Sequence, residues 1–155
     1  MDGLFVINGK GKRLSFDPAA SLADVLRANG HTEVKEGCCR GECGSCVVLL
    51  AGQLVNSCQV FAASAREREI LTSRALGSVH DPHPIQEAFV EAGAVQCGFC
   101  TPGKTLATFN LLGQNPDPKD DEIREALNGV LCRCTGYVKI IDAVRLAGKR
   151  MRDHG

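Results

Sequence analysis

Residues 4–7 form a short apolar run that leads into an Asn8-Gly9 pair, and residues 12–16 alternate between polar and apolar. Two strands joined by a tight turn are the expected outcome. The spacing changes at Ser21. Asp24 follows three positions later, Leu22, Val25 and Leu26 recur at helical intervals, and Gly30 stands where a helix would stop, which predicts a helix over residues 22–29. CVVLL, residues 46–50, has the β-branched and leucine content of a buried strand and ends at an Ala51-Gly52 turn. Residues 54–60 read as its return strand, with Cys58 on it, and a short strand at Ile70 and Leu71 completes a small mixed sheet.

Beyond Leu76 the pattern is helical throughout. Asp81-Pro82-His83-Pro84 reads as a linker with proline in the first turn of the next helix, where its missing N–H costs nothing. Ile85, Ala88, Phe89 and Ala92 make one face up to Gly93. A second helix starts at Thr101-Pro102, carries Leu106, Phe109 and Leu112, and is expected to end at Gly113. Asp117 or Asp120 would cap a third through Asn128, and a fourth would span residues 137–151 with Ile141, Val144 and Met151 inward. The expected organisation is α+β, with domains at residues 1–76 and 77–155.

Charge narrows the functions open to such a chain. Lys and Arg total 18, Asp and Glu total 18, and each half lies close to neutral, so no basic face for nucleic acid is expected. No apolar run reaches membrane length, and MDGLFVINGKG lacks the pattern of an export signal, which makes a cytoplasmic, membrane-free setting the expectation. Reducing compartments do not sustain disulfides, so the nine cysteines point to metal ligation. Metal–thiolate bonds would also help hold two modest cores that contain no tryptophan.

The densest chemistry is GCCRGECGSC, residues 37–46. Cys38, Cys43 and Cys46 follow C-x4-C-x2-C and Cys58 supplies a fourth sulfur, the plant-type spacing for a [2Fe-2S] cluster. Gly37, Gly41 and Gly44 allow the loop to curl and bring amide groups toward the sulfurs. Consecutive side chains diverge, so Cys38 and Cys39 cannot both face one iron; Cys38 keeps the spacing, and Cys39 is read as a packed free thiol. A second set follows. Cys97 and Cys100 fall between the first two C-terminal helices, and Cys132 and Cys134 between the last two. Brought together, these loops would form a second iron–sulfur site with helix N-terminal amides nearby. Four cysteines in two pairs also suit structural zinc, although the cramped C-x-C is less usual for it, and spacing alone leaves both readings open.

EGCCRGECGSC, then QCGFCTPG, then LCRCTGY before an isoleucine-containing helix resemble the small iron–sulfur subunit of the molybdenum hydroxylases, the xanthine dehydrogenase and aldehyde oxidoreductase family. The resemblance covers essentially the whole chain. It implies a plant-type ferredoxin-like β-grasp domain followed by an all-α four-helix-bundle domain, with one [2Fe-2S] cluster in each. Cys38, Cys43, Cys46 and Cys58 would bind the first cluster, and Cys97, Cys100, Cys132 and Cys134 the second. Gln96 and Cys134 would lie against the pterin cofactor of a neighbouring subunit. The implied role is that of a non-catalytic electron-transfer subunit, between a large molybdopterin-binding subunit and a medium FAD-binding subunit, in a heterotrimer or its dimer. HPIQEAFVEAGAVQCGFC is most similar to subunits of N-heterocycle hydroxylases, which leans toward a purine or nicotinate as substrate. The chain departs from the family at Lys104, where relatives commonly have methionine, and in the shorter loop GHTEVKEGC.

The alternative function is a free-standing two-cluster ferredoxin, distinguished from a subunit by the lack of an apolar docking surface. Arg133 would either tune the second site or pair with a surface carboxylate. His31, His80, His83 and His154 are expected to be solvated, and Gly9-Lys10-Gly11-Lys12 is a hairpin turn rather than a phosphate loop.

Overall fold

The computed structural model describes residues 1–153; His154 and Gly155 lie outside the described residues. Strands β1 (Asp2–Ile7) and β2 (Lys10–Ser15) pair antiparallel from Asp2 opposite Ser15 to Ile7 opposite Lys10. Asn8 and Gly9 both have positive φ, 51° and 75°, as a two-residue primed turn requires. Helix α1 (Leu22–Ala28) is opened by a reciprocal cap. The Asp24 N–H donates to Ser21 Oγ at 3.2 Å, and the Ser21 N–H donates to the Asp24 carboxylate at 3.1 Å. Strands β3 (Val47–Leu50), β4 (Gln53–Asn56) and β5 (Glu69–Leu71) complete one sheet in the order β2-β1-β5-β3-β4, with β5 parallel to β1 and antiparallel to β3.

The return strand is shorter than the alternation suggests. Ser57 Oγ donates to the Cys46 carbonyl at 2.6 Å, and Ser57–Gln59 turn into a 3-10 helix, so Cys58 sits on that turn and not on β4. The sheet and α1 enclose Phe5, Leu22, Leu26, Val48 and Ile70, with Phe5 and Phe16 edge to face at 5.3 Å. His31 is not simply solvated, because it packs beside Glu33 at 3.2 Å in a half-buried network. Burial pushes the Glu33 carboxyl up, but the 2.7 Å hydrogen bond from Thr72 Oγ1, with His31 and Arg74 close by, more than offsets this and holds it below the usual range.

Helices α2 (Pro84–Glu91), α3 (Thr101–Gln114), α4 (Asp120–Asn128) and α5 (Val138–Asp153) make the second half, with α2 against α5 and α3, and α4 against α3 and α5. Pro84 opens α2 as the pattern predicts. His83 is again no free surface group: its Nδ1 accepts the Ile85 N–H at 3.2 Å, its ring meets Phe109 edge-on at 5.8 Å, and burial lowers its pKa. Helix α3 continues through Gly113, where a side chain would meet nothing within 4 Å, so this glycine is tolerated on an open helix face and does not end the helix. Neither Asp117 nor Asp120 caps α4: Lys119 holds the cap position, its N–H donating to the Glu122 carboxylate at 2.7 Å, Asp120 is the first helical residue, and Asp117 pairs with Arg152. The buried stripe of α5 is Ile140, Ala143, Val144 and Ala147, whereas Ile141 and Met151 are only partly buried. The alanines carry half of this stripe and give little hydrophobic signal, so the sequence pattern favoured Ile141. Val47 of β3 packs with the helical core, tying the halves together. Among the described residues no helix is long and apolar enough to cross a membrane.

Candidate metal centres

The first thiol set is built largely from backbone. Gly41 and Gly44 take φ of 81° and 66°, and a Cβ on Gly37 would lie 2.7 Å from Cys43 Sγ, so the loop closes only around residues without side chains. Cys38 Sγ accepts the Arg40 N–H at 3.3 Å and the Cys43 N–H at 3.4 Å, and these amides pull its thiol down to about 6. Cys43 Sγ lies 3.1 Å from Ser45 Oγ, and Gln59 Nε2 donates to Cys58 Sγ at 3.4 Å. Burial pushes the Cys46 thiol up to about 11, next to Cys58. The expected packing of Cys39 is not found. Its backbone is left-handed, φ 52°, and the residue is exposed rather than packed.

The second set is built from helix ends and side chains. Cys100 is the residue before α3, and its thiol, raised by burial to about 12, lies against that of Cys132. Burial also raises Cys132, but Thr135 Oγ1 at 3.1 Å and nearby amides outweigh it and bring the thiol to about 7. Cys97 Sγ and Cys134 Sγ are 3.6 Å apart, and both residues are exposed. Tyr137 braces this loop: its hydroxyl accepts the Cys132 N–H at 2.9 Å, and its own N–H donates to Thr135 Oγ1 at 3.2 Å. The four cysteines, with Phe99, Leu131, Arg133 and Tyr137, line an open cavity of about 560 Å³. Gln96 is exposed next to Cys97, and Arg133 has no carboxylate partner among the described residues.

All nine cysteines are free thiols. Among the described residues no three His, Cys, Asp or Glu side chains converge on a point where they could hold one ion. Instead the sulfurs stand two by two: Cys38 with Cys43, Cys46 with Cys58, Cys97 with Cys134, and Cys100 with Cys132. Two thiolates on one tetrahedral metal lie about 3.8 Å apart given metal–sulfur bonds near 2.3 Å, so a pair at 3.6 Å suits one metal and two pairs suit a two-iron centre.

Lys104, on the first turns of α3, is fully buried. Its ammonium donates to the Leu127 carbonyl at 2.9 Å and lies 4.5 Å from the Tyr137 ring centroid. Burial brings it down to about 8, while the thiols of Cys100 and Cys132 act in the opposite direction. Sequence reasoning singled out Lys104 but not its burial, and it passed over Thr135 and Tyr137, for which the only signal was the TGY that follows the last cysteine pair.

The two sets meet at a seam. Gly44, φ 66°, approaches Gly129 so closely that a Cβ would fall 1.7 Å from the Gly129 carbonyl oxygen. The Leu131 N–H donates to the Cys43 carbonyl at 2.9 Å, so a peptide next to Cys132 is hydrogen-bonded to a cysteine of the first loop.

Two family models match in tandem: a 2Fe-2S iron-sulfur cluster binding domain over residues 5–72 and a [2Fe-2S] binding domain over residues 72–145. The chain is 48% identical to the nicotinate dehydrogenase small FeS subunit of Eubacterium barkeri, over 93% of this chain and 92% of that one. It is 44% identical to the xanthine dehydrogenase iron-sulfur-binding subunit of Escherichia coli O157:H7, over 89% and 88% respectively. A chain in the crystal structure of quinoline 2-oxidoreductase from Pseudomonas putida 86 superposes with a TM-score of 0.94 at 39% identity, covering 99% of this chain and 96% of that one.

Proposed function

The chain belongs to the family of small [2Fe-2S] subunits of the molybdenum hydroxylases, and we propose that it relays electrons in such an oxidoreductase from a large molybdopterin subunit toward a medium FAD subunit. Each bound cluster supplies storage for one electron at a time. The protein's own residues hold, insulate and orient these centres.

In this reading Cys38 and Cys43 hold one iron of the first cluster and Cys46 and Cys58 the other. Cys97 with Cys134, and Cys100 with Cys132, do the same for the second. Residues 1–76 act as the ferredoxin-like β-grasp domain and residues 77–155 as a four-helix-bundle domain, a division supported by the two separate cores and the neighbour pattern of α2 to α5. The observation that carries the proposal is the pairing of all eight sulfurs in two sets, joined by the Leu131–Cys43 hydrogen bond.

Gln96 and Cys134 take the pterin side, because both are exposed while Cys100 is buried. Phe99, Leu131 and Val138 are 46%, 53% and 65% exposed around that edge, an apolar rim suited to permanent contact with a larger subunit. The assembly is a heterotrimer or its dimer, in the cytoplasm. The pocket for the substrate lies in another chain, and similarity to a nicotinate dehydrogenase subunit favours an N-heterocycle such as nicotinate or a purine.

Metal and sulfide analysis of anaerobically purified protein should return four irons and four acid-labile sulfides per chain, since each four-cysteine set suits one cluster with about two of each. Zinc, or half that iron, would sink the two-cluster reading. Native mass spectrometry should show the chain with its larger partners; a stable monomer reduced by a diffusible reductase would favour the free-standing ferredoxin instead.

A further inference from the structure

Lys104 presents an energetic problem that the ligand set alone does not explain. Its side chain is fully buried, and among the described residues no carboxylate lies within ion-pair distance of it. A buried cation without a counter-charge is strongly disfavoured. One N–H direction is satisfied by the Leu127 carbonyl at 2.9 Å, and the Tyr137 ring faces the ammonium at 4.5 Å. Leu127 lies in the last turn of α4, where carbonyl dipoles favour a cation. These contacts offset only part of that cost.

What remains is an anion. Lys104 lies one helical turn after Cys100, its N–H bonded to the Cys100 carbonyl at 2.9 Å, and the ring beside its ammonium belongs to the residue whose hydroxyl holds the Cys132 amide. The cation thus lies near the two inner sulfurs of the second set, close enough for the thiols of Cys100 and Cys132 to favour its charged form. A [2Fe-2S] centre with four thiolates is a net anion, and its negative charge grows by one on reduction.

We propose that Lys104 is a positioning residue for charge: its buried ammonium is the counter-ion of the helical [2Fe-2S] centre and raises the reduction potential of that centre relative to the ferredoxin-like one. The sign follows from Coulomb attraction, which strengthens as the centre gains an electron, so the reduced form is favoured more than the oxidised. Among the described residues no buried ammonium serves the first site, where backbone amides and the Ser45 and Gln59 side chains approach the sulfurs. The inference rests on reading Cys97, Cys100, Cys132 and Cys134 as cluster ligands.

The test is a redox titration of the purified complex followed by electron paramagnetic resonance, for the wild type, Lys104→Met, Lys104→Gln and Lys104→Arg. Met matches the length of the unbranched stem, Gln keeps a donor, and both remove the charge. In both neutral variants one of the two reduced-cluster signals should shift to lower potential by at least a tenfold change in its reduction equilibrium, about 59 mV for one electron. The other signal should stay in place, and Lys104→Arg should remain near the wild type. Four irons and both signals with unchanged potentials in Met and Gln would overturn the inference while leaving the two-cluster reading intact. Wild-type protein with only two irons would overturn both. Loss of the second signal in all three variants, Arg included, would also overturn it, because shape and not charge would then be what the site needs.

Discussion

The first site gathers its sulfurs largely with glycines and backbone amides of the loop between α1 and β3, joined by Cys58 on the turn after β4, whereas the helical half gathers an equal number with helix ends, a threonine hydroxyl, a tyrosine and a buried ammonium. The comparison separates two ways of stabilising negative charge on sulfur. Amides are fixed by chain conformation, so the first site depends on residues that have no side chain. Side-chain donors can be exchanged one at a time, so the second site, with Thr135, Tyr137 and Lys104, offers more places than the first, with Ser45 and Gln59, where a substitution can retune charge without rebuilding the loop.

The strongest test sets two glycines with the same dihedral against each other. Gly44 and Gly93 both have φ of 66°, but a Cβ would meet the Gly129 carbonyl oxygen at 1.7 Å in the first case and nothing within 4 Å in the second. Gly93→Ala should cost about 1–2 kcal/mol, the strain of a left-handed alanine. Gly44→Ala should cost more than about 4 kcal/mol, or prevent cluster loading, because backbone must move at the seam. Thermal unfolding followed by the visible absorption of the clusters measures both; equal losses would mean that the seam yields easily.

A smaller but sharper contrast is the adjacent pair Cys38 and Cys39. Cys38→Ser should remove or badly perturb one centre, seen as loss of iron and visible absorption, while Cys39→Ser should keep both, since its thiol is exposed and its backbone turns the other way. The reverse result would overturn the assignment, and partial loading of the Cys38 variant would show that Cys39 can be recruited.

Next in size is Thr135→Val, which removes the hydroxyl 3.1 Å from Cys132 Sγ and the acceptor of the Tyr137 N–H. A hydrogen bond to a charged sulfur contributes about 1.5–3 kcal/mol. Because it favours the more negative reduced form, the helical centre should move to lower potential and the first centre should not. A shift in the first centre instead would mean that the two sites had been assigned to the wrong loops.

The smallest effect concerns the start of α2. Burial lowers the His83 pKa, and neutral Nδ1 accepts the Ile85 N–H. A base with a depressed folded pKa contributes stability that is present above its unfolded pKa near 6.5 and is lost as pH falls through the folded value. His83→Ala should therefore cost on the order of 1 kcal/mol at neutral pH, as for other caps, and progressively less in acid. Denaturant midpoints across that pH range check the sign; a loss that grows toward low pH would contradict it.

Much of this was legible in the sequence. The hairpin at Asn8-Gly9, the capped helix at Ser21 and the proline start of α2 rest on local rules, and the structure has each element there. What was not legible depends on partners remote in the chain. Ser57 turns Cys58 out of β4 by bonding to Cys46, Gly113 stays helical because nothing crowds it, and His31 and His83 are drawn into contacts by Glu33 and Phe109. At the sites, spacing names the sulfurs but not which stand together, and no periodicity says that Lys104 is buried beneath Tyr137.

The hydrogen bond from Leu131 to Cys43, with Gly44 lying bare against Gly129, makes the two loops a single mechanical part. Electron tunnelling falls off steeply with separation, so this contact acts as a fixed spacer. A methyl group at residue 44 would push the two loops apart, whereas the connector between the halves takes no part in this contact, so the spacing of the two sites is held at the seam.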